Sequence, residues 1–394
     1  MERRAFLGMG LSGAAGIAAG ASGALAVSTV RGVASKGAVG TSTVPFHGEH
    51  QSGIATPQAA HGTVVAFALR ETTDAERLQR LLRLWSDDAA LLQAGEPTLA
   101  DSNPELARTP ASLAITIGLG RGAFVAADKL DRWPLHYDAI PAFEIDRLES
   151  RWSGGDLVIQ VSANDGATVT HAIRELVKDA QPFAERIWQQ SGWHVQPDVN
   201  PGESARNLFG FKEGAGNPVP GTTDFDTIVW NDGAEQPWFA GGTTMVVRRI
   251  RMDLDLWDQV PPLMQEASFG RHVINGAPLG GTSEFQKPDF AARDAKGLPV
   301  IAADAHIRRA EAKRNIFRRP FNYDDGLDAA GTPDAGLLFI AYGSDIDRYI
   351  GIQAALATRD ALNTWTTPVG SALFVLPPGA TRPGTWVGET LFDS

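Results

Sequence analysis

The sequence predicts an α+β fold made of two tandem ferredoxin-like modules, each with the order β-α-β-β-α-β and an antiparallel sheet. Three observations support this prediction. Short apolar segments of strand length alternate with segments whose apolar residues recur at helical spacing. In the first half of the chain these segments follow the order of one ferredoxin-like unit. The second half can be read in the same order, and the apolar segments 155–160 and 336–341 occupy equivalent places in the two halves.

The first module contains four predicted strands and two predicted helices. The strands lie at residues 63–69, 113–117, 156–163 and 186–195. The first helix has Thr72 or Thr73 as its predicted cap and ends at Gly95. Its apolar face is formed by Leu78, Leu81, Leu82 and Trp85, and that of the second helix by Val169, Ile173, Leu176 and Val177.

The second module has the same kinds of element but a longer interruption. Strands are predicted at 243–251, 337–342 and 372–376, and a helix at 345–358. Asp253 opens a further predicted helix, which carries Leu254, Trp257 and Leu263. Residues 269–336 have little periodicity, and irregular segments of this length in compact domains are usually functional or disordered. Because this one contains a histidine and several arginines, we interpret it as functional.

Composition excludes several classes of protein. The formal net charge is -11 and no cluster of Lys and Arg stands out, so a nucleic-acid partner is not expected. The chain contains no cysteine. Disulfides, thiolate nucleophiles, cysteine-held iron–sulfur clusters and thiolate-ligated haem are therefore excluded.

The N-terminus has the layout of an export signal. Arg3 and Arg4 precede a weakly apolar run at 8–27 that is too rich in glycine to predict an integral membrane span. The paired arginines indicate the twin-arginine export machinery and an extracellular, periplasmic or cell-surface location. The predicted organisation is a signal peptide and linker over 1–45, an N-terminal ferredoxin-like domain over 46–215 and a C-terminal one over 216–394.

His306 is the histidine whose surroundings suggest chemistry. It is followed by Arg308 and Arg309, and then by Arg318 and Arg319. A histidine can supply an axial nitrogen to iron, and arginines can neutralise carboxylates or polarise bound oxygen species. The same pattern is also compatible with an ordinary surface.

Two other segments contain candidate groups. Residues 207–218 hold several glycines and a proline around Glu213, so a carboxylate is presented on a tight turn and is a candidate general acid or base. His47 and His50 form H-x-x-H, which could hold a metal. The flanking Pro45 and the nearby glycines favour a loop without a metal.

Taken together, these segments resemble the dye-decolourising peroxidase family over nearly the whole mature chain. Its G-x-x-D-G signature corresponds here to Gly210-Phe211-Lys212-Glu213-Gly214. Residues 45–54, 242–252 and 276–281 also resemble the family, and the leader resembles its exported, twin-arginine bacterial branch. The fold that the resemblance implies is two ferredoxin-like modules of the dimeric α+β barrel type.

The resemblance also implies a function. It predicts a haem peroxidase that binds haem b, reduces hydrogen peroxide and oxidises dyes, phenols or other one-electron donors. His306 matches the axial ligand of the haem iron, and Arg318 matches the distal arginine, with Arg319 as the second choice. Glu213 stands where the family usually has an aspartate, which puts the rate of peroxide turnover in doubt.

The remaining site residues are assigned through the same resemblance. Asp360 is the predicted partner of the far ring nitrogen of His306, and Arg308 the predicted partner of a haem propionate. Leu338 and Ile340 are predicted to wall the distal pocket, although ordinary strand core explains them equally well. A homo-oligomer is compatible with the sequence.

Three alternatives remain open at this stage. The chain could be a haem- or iron-handling protein, like a deferrochelatase that releases iron from haem in an exported iron-uptake system. It could be a binding module that kept the fold and lost turnover. A related haem fold acting on oxyanions such as chlorite is a further possibility, but the glycine-framed carboxylate loop favours peroxide.

Overall fold

Two sets of four antiparallel strands form the framework of the protein in a computed structural model that describes residues 39–195, 204–311 and 315–393. The strands are β1 (His61–Leu69), β2 (Ala114–Leu119), β3 (Leu157–Ala163), β4 (Ala184–Trp193), β5 (Thr243–Met252), β6 (Phe317–Arg318), β7 (Phe321–Leu327), β8 (Pro333–Gly343) and β9 (Thr366–Leu376). The helices are α1 (Ala75–Ala94), α2 (Arg121–Ala126), α3 (Gly166–Ala180), α4 (Thr223–Val229), α5 (Leu254–Trp257), α6 (Pro262–Phe269), α7 (His306–Ala310), α8 (Ile346–Arg359) and α9 (Glu389–Phe392). The predicted twin-arginine leader lies in residues 1–38, outside the described residues.

The first set has the strand order β4-β1-β3-β2, and every neighbouring pair is antiparallel. The helices α1 and α3 pack on one face of it, where apolar side chains from both helices meet those of β1, β2 and β3. The strands predicted in this half are confirmed, with ends that move by a few residues.

The second set has the order β9-β5-β8-β7, and the short strand β6 also pairs with β8. Single pairings join the two sets at both edges, Leu119 with Val375 and Trp193 with Asn322. The antiparallel sheet therefore closes into a barrel. Apolar side chains from strands all around this ring pack together in its interior.

The cap of α1 differs from the prediction. Asp74, not Thr72 or Thr73, is the cap, and its carboxylate accepts a hydrogen bond from the backbone N–H of Arg77 at 3.0 Å. The hydroxyl of Thr73 instead donates to the carbonyl of Phe183 at 2.6 Å, so tertiary structure takes this side chain away from the helix. The predicted end of α1 at Gly95 is confirmed, with a φ of 80°.

The helix predicted after β5 is broken in two. Asp253 is the cap, as predicted, but α5 ends at Trp257 and α6 begins at Pro262. Pro261 and Pro262 supply no N–H donors, so one helix cannot run through them. As a result Leu263 is exposed on α6 rather than buried beside Trp257.

The long irregular segment contributes the elements that lie nearest the candidate site. Within residues 269–336 the chain forms α7, β6 and β7, with α7 beginning at His306. In the described ranges, no helix combines the length and the apolar character needed to cross a bilayer. The predicted boundary between residues 215 and 216 stays a prediction.

Candidate active site

A tight turn at residues 206–213 presents the candidate carboxylate. Asn207 braces this turn, because its backbone N–H donates to the carbonyl of Phe211 at 3.0 Å and its Oδ1 accepts from the N–H of Phe211 at 3.1 Å. Gly210 has a φ of 87°, a backbone conformation that a side chain would strain. The turn is therefore determined by local hydrogen bonds and by one glycine.

Glu213 is held at the end of this turn. Its Oε1 accepts a hydrogen bond from Nδ2 of Asn207 at 2.5 Å, and its backbone N–H donates to the carbonyl of Ala205 at 2.9 Å. A Cβ on the following Gly214 would lie 2.0 Å from Oγ and 2.8 Å from Cβ of Ser204, so a larger residue there would displace Ser204. The second oxygen of Glu213 accepts no hydrogen bond from the described residues, and it is free to receive a proton.

The same loop holds Arg318. The guanidinium Nη2 donates to the carbonyl of Ala215 at 2.7 Å. Asn217 makes three further bonds: its Oδ1 accepts from the backbone N–H of Arg318 at 3.0 Å and from the guanidinium Nε at 3.4 Å, and its amide donates to the carbonyl of Arg318 at 2.7 Å. Glu213 and Arg318 are far apart in sequence, and the structure joins them through Ala215 and Asn217.

His306 and Asp360 form a hydrogen-bonded pair. Nδ1 of His306 lies 2.6 Å from Oδ2 of Asp360, whose side chain is almost fully buried. The other carboxylate oxygen accepts from the N–H of Leu362 at 3.0 Å. A carboxylate that receives Nδ1–H leaves Nε2 as the free nitrogen of the imidazole. The predicted partner of His306 is therefore at hydrogen-bond distance.

The electrostatics of His306 connect it to the other candidates. Burial lowers the pKa of His306, but the charge of Asp360 and the hydrogen bond to it outweigh burial and raise it overall. Glu213 and Arg318 lie close enough for their charges to act on this pKa as well, in opposite directions. Neither forms a hydrogen bond to His306 among the described contacts. The four predicted residues thus share one region.

Aromatic side chains line this region between the histidine and the turn. The ring of Phe269 lies 5.9 Å from that of His306 and stacks on Phe211 of the turn at 3.7 Å. Trp257 packs against Phe269 at 6.0 Å. These contacts attach the 206–213 turn to α7 through apolar packing.

The pocket-wall residues need a correction. Leu338 and Ile340 point into the interior of the barrel, where they pack with Phe317 and Tyr342. Side chains alternate along a strand, so the neighbouring residues of β8 point to the opposite face. Leu337 there packs with Phe209, Phe211 and Trp257, and Phe339 packs against the same group.

The arginines after His306 have separate surroundings. Nη1 of Arg308 donates to the carbonyls of Phe290 and Ile301 at 3.0 and 3.2 Å. Arg309 donates to the carbonyl of Ala355 and so ties α7 to α8. The role of Arg308 as a propionate partner stays a prediction. Its guanidinium already donates hydrogen bonds to two backbone carbonyls.

Sequence reasoning missed two asparagines and a histidine. Asn207 and Asn217 stand at the ends of the glycine-rich segment, and an asparagine flanking a special turn is a signal for side chain to backbone bonding. His194 is half-buried, and burial lowers its pKa, while the charges of Arg319 and Glu213 shift it in opposite directions.

Possible metal ligands outside this region are engaged in other ways. His50 stacks on Trp230 with ring centroids 3.8 Å apart, and its Nδ1 lies 2.8 Å from the carbonyl of Gly241. Asp101, His171 and Glu175 lie near one another, and Lys178 pairs with Glu175. Both carboxylates of this group therefore already have a partner, because Asp101 lies 3.0 Å from His171 and Glu175 pairs with Lys178.

Two family models match the chain. Residues 51–194 match the model described as Dyp-type peroxidase, N-terminal, and residues 204–381 match Dyp-type peroxidase, C-terminal. The chain belongs to the Dyp-type peroxidase family. It is accordingly a haem peroxidase, an oxidoreductase that reduces hydrogen peroxide and oxidises an electron donor.

Curated relatives of this Dyp-type peroxidase carry two kinds of name. The dye-decolorizing peroxidase of Thermobifida fusca is 36% identical over 365 residues, which cover 87% of this chain and 84% of the relative. The deferrochelatase of Yersinia pseudotuberculosis is 33% identical over 373 residues, which cover 89% and 85%.

Solved structures agree with the fold. The DyP-type peroxidase of Cellulomonas bogoriensis has a TM-score of 0.87 and 43% identity, and the match covers 91% of this chain and all of that one. An oxyferrous/water mixed complex of DtpA from Streptomyces lividans has a TM-score of 0.85 and 38% identity, with 90% and 99% covered.

The residues of this Dyp-type peroxidase fit its haem. A neutral imidazole whose Nδ1–H is donated to a carboxylate presents a strongly basic Nε2, the donor that an iron porphyrin requires. His306 meets this condition through Asp360. The apolar rings of Phe211 and Phe269 and the side chains on the outer face of β8 are surroundings compatible with a porphyrin.

Proposed function

We propose that His306 ligates the haem iron through Nε2 and that Asp360 positions it. The observation that carries this proposal is the 2.6 Å contact between Nδ1 of His306 and Oδ2 of Asp360. The charges of Glu213 and Arg318 also act on the pKa of His306. A buried carboxylate fixes the tautomer and makes the imidazole a stronger donor. Bound haem supplies the electrons that reduce the peroxide bond.

The second part of the proposal concerns proton transfer. The free oxygen of Glu213 takes a proton from one oxygen of hydrogen peroxide and delivers it to the other, which leaves as water. Asn207 keeps this carboxylate in place through its bond to Oε1. Arg318, held by Ala215 and Asn217, stabilises the negative charge that develops as the O–O bond breaks. Leu337 and Phe339, rather than Leu338 and Ile340, wall the pocket.

An absorption experiment tests the ligand assignment. Purified, haem-supplied protein is compared with His306→Ala before and after one equivalent of peroxide. We expect a Soret band in the wild type that responds to peroxide, and its loss or displacement in the variant. An unchanged spectrum in His306→Ala would contradict the assignment, because the iron would then have another ligand.

Deferrochelatase-like iron release is the second candidate function. Two observations support this candidate. Several relatives at 32–33% identity are named deferrochelatase, and Glu213 stands where the peroxidase family usually has an aspartate. Mass spectrometry of the pigment after incubation of the haem-loaded protein with a ferrous chelator distinguishes the two. Metal-free protoporphyrin with an intact ring would support iron release, and unchanged haem would favour the peroxidase alone.

The remaining proposals concern export and architecture. The paired Arg3 and Arg4 support export through the twin-arginine machinery to an extracellular, periplasmic or cell-surface location. Expression of the full chain with Arg3→Lys and Arg4→Lys tests this, since we expect the variant to stay in the cytoplasm. The strand orders β4-β1-β3-β2 and β9-β5-β8-β7 support two ferredoxin-like repeats, which we propose as the origin of the barrel.

A further inference from the structure

Glu284 is a buried carboxylate that lies against the turn presenting Glu213. Its side chain is 7% exposed, and Oε2 lies 3.6 Å from Nζ of Lys212, whose side chain is 11% exposed. A Cβ on Gly214 would lie 3.0 Å from Oε1 of Glu284. Glu284 therefore touches the residues on both sides of Glu213, although positions 213 and 284 are far apart in the sequence.

The surroundings of this ion pair leave it little room to move. A Cβ on Gly276 would lie 3.1 Å from Cγ of Glu284 and 3.1 Å from Cδ of Lys212, so the backbone at Gly276 packs directly on both side chains. Oε1 of Glu284 is buried and has no hydrogen-bond partner among the described residues. Removing one member of a buried ion pair leaves an uncompensated charge, which is strongly unfavourable. The geometry of the pair is therefore coupled to that of the turn.

The beginning of the turn is held by the same loop, residues 271–284. Arg206 donates from Nη2 to the carbonyl of Ile274 at 2.9 Å. Arg271 in turn donates from Nη1 to the backbone carbonyl of Glu284 at 3.0 Å, which keeps the two ends of the loop together. Both ends of the turn are thus attached to one loop, and Glu284 makes the attachment at the end that carries the candidate base.

The electrostatics of Arg271 place Glu284 near the arginine of the candidate site. Burial lowers the pKa of Arg271, the charge of Glu284 raises it, and the charge of Arg318 lowers it. Arg271 is thus close enough to both side chains for their charges to act on it. Glu284 therefore lies in the region that contains the two groups assigned to the peroxide step.

We propose that Glu284 is a positioning residue for Glu213, acting through its ion pair with Lys212 and its contact with Gly214. It fixes the backbone on both sides of the candidate base, and so keeps the second oxygen of Glu213 within reach of peroxide. A general base must lie within hydrogen-bond reach of the proton that it takes, and a displacement of about 1 Å can cost about 10²-fold in rate. This inference rests on the proposed role of Glu213 in proton transfer.

A set of charge-removing variants tests the proposal in the haem-loaded protein. Glu284→Gln and Lys212→Met should each lower kcat/KM for peroxide by about 10- to 100-fold, with a normal Soret band. Because both act on one pair, the double variant should be no slower than the slower single variant. In a Glu213→Gln background, Glu284→Gln should cause almost no further loss, because the group that it positions is already disabled.

Hydrogen exchange supplies a readout that does not depend on activity. Exchange in residues 206–214 should become faster in Glu284→Gln, while exchange in α1 stays unchanged, because the effect is confined to the turn. Asp289→Asn is the matched control. Asp289 is an exposed carboxylate in the same long segment, and it accepts from the backbone N–H groups of Ala291 and Ala292. This variant should keep the kcat/KM and the exchange of the wild type.

Other results would overturn the proposal. If Glu284→Gln keeps wild-type kcat/KM and exchange, or if its loss is undiminished in the Glu213→Gln background, Glu284 does not position Glu213. If Glu284→Gln does not fold, Lys212→Met alone must show both effects, and wild-type behaviour in it would contradict the inference. An active Glu213→Gln would overturn the proton-transfer role and this inference with it. An impaired Glu213→Gln beside an unaffected Glu284→Gln would overturn this inference alone.

Discussion

Nδ1 of His306 lies 2.6 Å from Oδ2 of Asp360, at the junction where α8 ends. The backbone N–H of Asp360 donates to the carbonyl of Leu356 at 3.0 Å, and the N–H of Ala361 donates to the carbonyl of Asp304 at 2.9 Å. The carboxylate is therefore anchored by both the helix that carries it and the segment that carries His306. These hydrogen bonds hold the carboxylate at the position from which it orients the imidazole.

Asp360→Asn should separate the charge of this partner from its hydrogen bond. The amide oxygen still accepts Nδ1–H, so we expect haem to bind, but the imidazole becomes a weaker donor. The reduction potential of the haem should rise, and peroxidase activity should fall on the order of 10–100-fold. Potentiometric titration measures the first effect. Asp304→Asn, which removes a carboxylate two residues before His306 in the chain, is the control, and an equal potential in the two variants would argue against the assignment.

Glu213→Gln should impair the peroxide step and leave haem binding intact. Glutamine keeps an oxygen for the bond from Asn207 but cannot take a proton. We expect kcat/KM for peroxide to fall by roughly 10²–10⁴-fold. Steady-state kinetics at saturating donor measure it, and the Soret band checks haem content. Glu213→Asp should remain within about tenfold of the wild type if a carboxylate is what matters. Full activity in Glu213→Gln would rule out Glu213 as the base.

Asn217→Ala should act through Arg318. The variant removes the amide oxygen that accepts from the backbone N–H of Arg318 and the amide nitrogen that donates to its carbonyl. The guanidinium therefore loses its alignment with the Glu213 loop. Misplaced catalytic groups commonly cost about 10²-fold in rate, and we expect a loss of that order in kcat/KM for peroxide with normal haem content. Combined with Arg318→Ala, Asn217→Ala should add little further loss. Additive losses would show that Asn217 acts independently of Arg318.

Asp179→Asn should change how stability depends on pH. Burial and the charge of Asp88 raise the pKa of Asp179 to about 8, so the folded state holds a proton that the unfolded chain releases near pH 3.8. Between about pH 4 and 8 the folded state binds more protons, and this group's contribution to stability is lost as pH rises. Melting temperatures of Asp179→Asn should therefore fall less steeply over this window than those of the wild type.

The exposed Asp87 supplies the control for this prediction. Asp87→Asn removes a neighbouring charge without a buried carboxyl, so its melting curve should follow that of the wild type much more closely. Parallel pH profiles for Asp179→Asn and the wild type would mean that the Asp88 and Asp179 pair does not hold the proton.

The sequence predicted the elements of both halves well where periodicity was strong. The strands and helices around Trp85, Leu176 and Ile340 are present because alternating and helical patterns reflect burial directly. The cap of α1 was misassigned, because Thr73 has a tertiary partner that no local pattern reveals. The break between α5 and α6 follows from Pro261 and Pro262, because the missing N–H donors of two prolines override the helical spacing of the apolar residues.

The sequence by itself determined the family, through motifs that need special local geometry. Gly210 and Gly214 allow a turn that larger residues would strain or block, and His306, Arg318 and Asp360 were assigned through that resemblance. The tertiary structure decided which side of β8 faces the site. Leu337, Leu338, Phe339 and Ile340 are all apolar because both faces of this strand are covered, so alternation was invisible in the sequence. It also decided that Arg318 joins the Glu213 loop while Arg319 is buried and donates to the carbonyl of Thr56, because the side chains of consecutive residues in an extended segment point to opposite sides.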